Sequence, residues 1–178
     1  MPNWCDNSVT IRHKDPVKLA ALAEAINNGD FCKSVLPIPE ALANTSAPNR
    51  EPNAGDLVEQ TGYADWYDFC VNEWGTKWDV NPYDKVHVDG DTLEFSFDSA
   101  WSPPTGIYQA LYEQGYSVTG YYYEPGMCFV GKWEDGDDEY YEYSDYDTAA
   151  DVREHIGEEL DDMFCISEGL EQDEDENP

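Results

Sequence analysis

The chain of 178 residues has the length of one domain, and a hydrophobic content of 40% is enough to form a core. With 39 acidic against 9 basic side chains, its formal charge of −30 disfavours binding to nucleic-acid backbones and anionic membranes. The first 15 residues have no apolar stretch typical of a signal peptide, and no apolar run is as long as a membrane span. We therefore expect no membrane association.

The five cysteines, at positions 5, 32, 70, 128 and 165, form no C-x-x-C pair, and their number is odd. Such a set is typical of reduced, mostly buried thiols rather than of a disulfide framework. The cysteines therefore predict a cytoplasmic protein.

Hydrophobic periodicity predicts the elements of the first half in chain order. Residues 7–13 alternate like a strand, and the next segment forms a helix that Asp15 caps and that buries Leu19, Leu22, Ala23 and Ile26. A loop-rich and partly helical insertion is expected at about 30–80. Two alternating runs around Asp89-Gly90 then predict a hairpin. A second helix follows Ser102, which we expect to be its cap.

The second half is predicted to contain further strands near 116–124, 127–134 and 139–144. One amphipathic helix from about Thr148 to Phe164 follows them. The resulting order, strand-helix-insertion-strand-strand-helix-strand, is that of the ferredoxin-like split βαβ arrangement. We therefore predict a single α+β domain over 1–166, extended by a C-terminal hairpin and this helix. An acidic, disordered tail is expected over 167–178.

Four motifs carry a resemblance to a known family. They are MPNWCDNSVTI at the start, EWGTKWD at 73–79, FDSAWSPP at 97–104 and YYYEPGMCFVGKW at 121–133. In this order they resemble the YubB-type ferredoxin-like proteins of phages and plasmids. The resemblance implies a ferredoxin-like fold, an origin in a mobile element and residence in the cytoplasm of a bacterial host. It implies no established activity.

Catalytic and metal-binding patterns are missing from the sequence. It contains no P-loop, G-x-S-x-G or G-x-G-x-x-G motif, and its three histidines lack metal-ligand spacing. Cys5 is expected to be a buried structural residue rather than a nucleophile. The sequence therefore favours a non-catalytic protein without a cofactor or metal.

Acidic side chains dominate the chain after Glu134 and form the predicted partner-binding surface. Carboxylates on one helix face lie about 5–6 Å apart, and those two apart on a strand about 6.6 Å apart, a spacing similar to that of DNA phosphates. We therefore expect a basic, nucleic-acid-binding host protein as partner, with the chain acting as a DNA mimic that inhibits host defence or DNA processing. The predicted contacts are Asp135, Asp137, Asp138, Asp147, Asp151, Glu154, Glu158, Asp161 and Asp162.

A second candidate site is aromatic. The residues proposed as partner contacts, or as the lining of a cleft, are Trp74, Lys77, Trp78, Trp101, Tyr121 and Tyr123. A cleft near the WGTKW and AWSPP motifs would indicate an enzyme or a small-ligand-binding protein, whereas a closed aromatic core would make EWGTKWD a structural corner. A structural homo-oligomer is a further alternative, and the oligomeric state is left open.

Direct nucleic-acid binding is not expected. Tyr121, Tyr123 and Trp133 can form a stacking platform on a ferredoxin-like sheet. Binding also needs cations along the backbone, and the neighbouring strands supply only Lys132.

Overall fold

The computed structural model describes residues 3–146 and 148–176. The strands are β1 Trp4–Arg12, β2 Val88–Asp89, β3 Thr92–Ala100, β4 Ser117–Glu124, β5 Phe129–Glu134 and β6 Asp137–Glu142. The helices are α1 Pro16–Asn27, α2 Phe31–Val35, α3 Ala54–Thr61, α4 Trp66–Phe69, α5 Thr105–Glu113, α6 Ala149–Ile156, α7 Glu158–Phe164 and α8 Ile166–Glu176. A π-helical turn, Cys70–Trp74, continues directly from α4. No helix in the described part of the chain is long and apolar enough to cross a membrane.

The six strands form one antiparallel sheet in the order β2-β3-β1-β4-β5-β6. The first four strands, with α1 and α5 as crossovers, have the ferredoxin-like split βαβ order. The predicted α+β ferredoxin-like fold, extended by a C-terminal hairpin, is therefore confirmed.

Local sequence explains why α1 begins and packs where it does. The Asp15 carboxylate accepts a hydrogen bond from the backbone N–H of Val17, and Pro16 occupies the first turn. Leu19, Leu22, Ala23 and Ile26 are buried, as their spacing predicts. The apolar side of α5 packs on the same sheet face, so the main core lies between this face and the two crossover helices.

The central hairpin differs from the prediction by one residue. Its two-residue turn is Gly90-Asp91, with Asp89 paired to Thr92. Gly90 has a φ of 61°, a left-handed conformation that glycine adopts without a steric penalty. The run before the turn pairs only over Val88–Asp89, so β2 is short.

The predicted long C-terminal helix is wrong, because Gly157 divides it into α6 and α7. Gly157 has a φ of 83° and a ψ of 159°, which is not a helical conformation. The break folds the two helices over the second face of the sheet, where Val152, Ile156 and Leu160 surround Val130. Met163, predicted to face inward with them, is instead 41% exposed.

The expected disordered tail also differs from the structure, which has helix α8 over Ile166–Glu176. Ile166 is buried in the same apolar cluster, and Leu170 packs against that cluster. Through these two apolar side chains, the otherwise acidic segment packs against the domain as a helix. The count of charges alone does not reveal these contacts.

Candidate aromatic binding surface

The EWGTKWD motif forms a corner that is joined to the AWSPP motif. The hydroxyl of Thr76 accepts a hydrogen bond from the Ala100 N–H and donates one to the Ala100 carbonyl, both at 3.1 Å. Ser102 donates to the carbonyl of Gly75, which has a φ of 88°. The buried Trp74 donates its indole N–H to Leu36 at 2.8 Å. Trp74 is therefore a core residue and is not available to a partner.

The corner presents four aromatic rings and one cation, which we call the tryptophan surface: Trp4, Tyr67, Lys77, Trp78 and Trp101. The indoles of Trp4, Trp78 and Trp101 are 49%, 41% and 39% exposed. The ring centroids of Trp4 and Trp78 lie 6.3 Å apart, and those of Tyr67 and Trp101 lie 6.2 Å apart. Besides the predicted Trp78 and Trp101, the surface thus contains two further aromatic residues, Trp4 and Tyr67.

Lys77 lies among these rings. Its Nζ is 4.4 Å from the ring centroid of Trp78, 5.1 Å from that of Trp101 and 5.6 Å from that of Tyr67. A cation over an aromatic face is attracted by the ring quadrupole, by about 0.5–1 kcal/mol at exposed sites. This explains the rare lysine of the motif, since it holds separate rings in one arrangement.

Trp101 adopts a backbone conformation that tryptophan seldom has. Its φ is 72°, and its N–H donates to the carbonyl of Asn3 at 2.9 Å. The left-handed conformation costs an L-residue with a side chain roughly 1–2 kcal/mol. Residues held in such conformations cluster at functional sites. The exposed indole of Trp101 is therefore held in place at the expense of stability.

A cleft of about 370 Å³ adjoins the tryptophan surface. Its lining includes Pro48, Trp66, Tyr67, Asp68, Lys77 and Trp101. The buried carboxylate of Asp65 also lies there, but it accepts hydrogen bonds from the N–H groups of Asn49 and Asp68. That carboxylate organises the cleft wall.

Most of the predicted acidic contacts are exposed, but five of them have hydrogen-bond or ion-pair partners within the chain. Asp135 accepts hydrogen bonds from the Val118 N–H and the Ser117 hydroxyl, and Asp138 accepts one from Tyr122. The exposed members are Asp135, Asp137, Asp138, Asp151, Glu154, Glu158 and Asp162. Asp147 lies outside the described residues.

Asp161 does not belong to an accessible acidic face, because it is buried. It accepts hydrogen bonds from both the N–H and the hydroxyl of Ser167, and it forms an ion pair with Arg153. Arg153 also contacts Asp162 at 3.0 Å. Two carboxylates of the predicted acidic face are therefore paired with a cation. Gly157 makes the difference, since the turn there brings α7 back against the arginine of α6.

The tryptophan surface and the acidic hairpin tip lie at opposite ends of the sheet. Trp4 pairs with Ala100 at one end, whereas Thr10 aligns through Thr119 and Glu134 with Asp137 at the other. Six residues along β1 separate the two ends by about 20 Å. The structure thus keeps the tryptophan surface apart from the acidic hairpin tip.

Tyr121 and Tyr123 are half-buried under the C-terminal helices. The Tyr121 hydroxyl donates to Glu159 at 2.5 Å, and Lys132 binds the same carboxylate at 3.0 Å. Tyr123 packs on Phe164 with ring centroids 5.4 Å apart. Trp133 is buried on the other face of the sheet, against Tyr108. These three rings therefore do not form an open stacking platform.

Two residues of the tryptophan surface, Trp4 and Tyr67, are missing from the sequence prediction. For Trp4 a signal existed. It has the opposite strand phase to the apolar Val9 and Ile11, which places it on the opposite face of the sheet. Tyr67 had no such signal, because its contact with Trp101 joins segments that are distant in sequence.

Cys5 is predicted to be unreactive in the folded protein. Burial raises the pKa of its thiol to about 12, so the thiolate is scarce at neutral pH. With an aromatic disulfide reagent at pH 7, we expect the exposed Cys165 to react first and Cys5 only after unfolding. Replacing Cys165 by serine should remove the fast phase. Rapid modification of Cys5 in the native protein would contradict this prediction.

The fold and this surface define an α+β ferredoxin-like protein with a preorganised aromatic patch on a strongly acidic body. Residues 73–167 match the family model described as a ferredoxin-like domain in Api92-like protein. The chain therefore belongs to the family of Api92-like proteins. It is also similar to the crystal structure of a protein api92 from Yersinia pseudotuberculosis, at 12% identity and a TM-score of 0.41, over 81% of this chain and 99% of that one. Among curated proteins, none matches.

Proposed function

We propose that this protein is a non-catalytic binding protein whose tryptophan surface contacts a basic protein. The observation that carries the proposal is the conformation of Trp101, which is held at a positive φ with its indole exposed beside Trp78. A side chain that served only the core would gain nothing from this arrangement. Tryptophan is the residue type most typical of the few contacts that dominate binding energy at protein interfaces.

Charge supports the choice of partner. The body carries a formal charge of −30, so long-range attraction favours a basic protein and accelerates its encounter. Such attraction weakens as salt rises, whereas the burial of indoles does not. Binding by this surface is therefore expected to have one salt-dependent and one salt-resistant component.

The resemblance to YubB-type proteins adds a setting to the proposal. If the chain belongs to a phage or plasmid, the basic partner is a nucleic-acid-binding protein in the cytoplasm of the bacterial host. The exposed carboxylates of β6, α6 and α7 then act as a DNA mimic in host defence or DNA processing. Five unpaired cysteines are in keeping with a reducing compartment.

A second candidate function uses the cleft beside Lys77. Its volume of about 370 Å³ and its aromatic walls suit a small planar ligand, which is the alternative of a small-ligand-binding protein. A ligand there would contact Tyr67, Lys77 and Trp101, which the cleft shares with the tryptophan surface. It would shift the fluorescence of Trp66 and Trp101 and would compete with the capture of a protein.

Affinity capture from a bacterial host lysate tests the proposed function. The bait is the purified chain, compared with Trp78→Ala and with Met127→Ala, which alters an exposed apolar side chain on the β4–β5 loop. We expect a basic protein to be retained by the wild type and by Met127→Ala, and lost by about tenfold with Trp78→Ala. Equal retention by all three baits would overturn the role of the tryptophan surface.

A further inference from the structure

A bare half of the second sheet face begins next to Trp4. The C-terminal helices pack over β4 and β5 on this face, through Tyr121, Tyr123 and Val130. Over β1 and β3 the side chains on the same face remain exposed or half-buried: Trp4, Asp6, Ser8, Thr10, Glu94, Ser96 and Asp98. This part of the sheet is polar and acidic, and it is continuous with the tryptophan surface.

Two carboxylates lie directly opposite each other on this bare half. Asp6 pairs with Asp98 in the antiparallel β1–β3 ladder, a position at which Cβ atoms are about 4.5–5.5 Å apart and like charges destabilise the sheet. The Tyr83 hydroxyl donates to Asp98 at 2.8 Å and so orients that carboxylate. Burial and the charge of Asp98 both raise the pKa of Asp6.

No cation among the described residues pairs with either carboxylate. In residues 3–146 and 148–176, the ion pairs involve Lys33, Lys132 and Arg153, and none includes Asp6 or Asp98. On β1 itself the basic residue nearest to Asp6 in sequence is Arg12, six residues or about 20 Å further along the strand. A cation from outside is therefore the group that would stabilise the pair.

We propose that Asp6 and Asp98 bind the guanidinium group of an arginine from the basic partner, beside the indole of Trp4. This inference rests on the proposed function and specifies the partner as an arginine-bearing segment. A guanidinium has five donors in a plane, so it can bridge two carboxylates whose Cβ atoms lie about 5 Å apart. Trp4 is two residues before Asp6 on the same face and offers a ring on which the guanidinium can stack.

Arginine fits this position better than the other cations. A lysine ammonium can also contact two carboxylates, as Lys132 does with Glu134 and Glu159, but it lacks the planar fork that stacks on an indole. A divalent metal prefers six or more oxygen ligands or several carboxylates. No group of three or more metal-ligating side chains occurs in the part of the chain that the structure describes.

The test is an NMR titration with hexa-arginine and with hexalysine, following the Trp4 indole signal. We expect hexa-arginine to shift this signal and to bind more tightly than hexalysine. The double variant Asp6→Asn/Asp98→Asn should lose hexa-arginine affinity by about tenfold or more. A matched double variant, Asp56→Asn/Glu59→Gln, removes the same two charges from exposed positions on α3 and should lose less than about threefold.

A stability measurement separates lost binding from lost folding. Because Asp6→Asn removes a like-charge repulsion, its urea midpoint should equal or exceed that of the wild type. Equal loss of affinity in the two double variants, or equal affinity for the two peptides, would overturn the arginine site. That result would leave the capture by the tryptophan surface intact, whereas failure of the Trp78→Ala comparison would overturn the proposed function itself.

Discussion

Replacing Gly106 by alanine is expected to destabilise the protein by about 3 kcal/mol or more, or to prevent folding. A Cβ built at Gly106 would lie 1.9 Å from the backbone carbonyl oxygen of Glu73. The obstacle is backbone on both sides, so no side-chain rotation can relieve it. Helix α5 would have to move away from the EWGTKWD corner, which would also displace Trp78 and Trp101.

Urea denaturation followed by tryptophan fluorescence measures this effect. The matched control is Gly55→Ala, since Gly55 lies in helix α3 and its added Cβ meets no atom within 4 Å. Alanine there should be neutral or stabilise by up to about 1 kcal/mol. If Gly106→Ala unfolded at the same urea concentration as Gly55→Ala, that result would contradict the close contact between helix α5 and the EWGTKWD corner.

Replacing Asp161 by alanine is expected to cost about 3 kcal/mol in the stability of the C-terminal helices. The change leaves the N–H and hydroxyl of Ser167 without their acceptor in a buried position, and it removes the buried partner of Arg153. Hydrogen exchange of the Val152 and Ile156 amides reports this region directly. The control Asp162→Ala removes an exposed carboxylate from the same arginine and should change stability by less than about 0.5 kcal/mol.

The contribution of Asp161 to the stability of the C-terminal helices depends on pH. Burial alone would raise the pKa of Asp161, but hydrogen bonds from Ser167 and Arg153 lower it below its ordinary value. The stabilisation is therefore complete above the ordinary aspartate pKa of about 3.9 and is lost as pH falls through the lower folded value. The difference between wild type and Asp161→Ala should shrink in this acid range. A constant difference from pH 7 into that range would contradict the ionised, hydrogen-bonded carboxylate.

Local patterns in the sequence were sufficient for the topology of the fold. The cap at Asp15, the apolar spacing of α1 and the alternation of β1 each depend on neighbours within a few residues. The order of such elements restricts the sheet to few arrangements. The confirmed split βαβ order follows from these signals.

Long-range contacts account for what the sequence did not reveal. A single glycine, Gly157, reverses the chain and buries Asp161, although the helical period places that residue on the exposed acidic face. Ile166 makes a tail with little apolar content fold against α6. Only part of the tryptophan surface was predicted. Trp78 and Trp101 belong to motifs quoted from the sequence, whereas Tyr67 reaches Trp101 only through the tertiary fold.

The structure changes which acidic residues are expected to make specific contacts. The acids after Glu134 are numerous, yet Asp6 and Asp98, which share a sheet face with the exposed Trp4, both precede that acidic segment. A small number of well-placed contacts usually dominates an interface. We therefore propose that Asp6 and Asp98 add specific contacts to those of the tryptophan surface, whereas the other acids act collectively through their charge.

The most direct test of the proposed binding role is the affinity of the captured basic protein for wild type and for Trp78→Ala, measured by calorimetry at low and at high salt. We predict that Trp78→Ala weakens binding by about tenfold at both salt concentrations, because the indole contributes buried apolar surface. Added salt should weaken the binding of wild type and of Trp78→Ala by the same factor, since it screens the charge that both proteins carry. An unchanged affinity of Trp78→Ala at both salt concentrations would contradict a role for the tryptophan surface in binding.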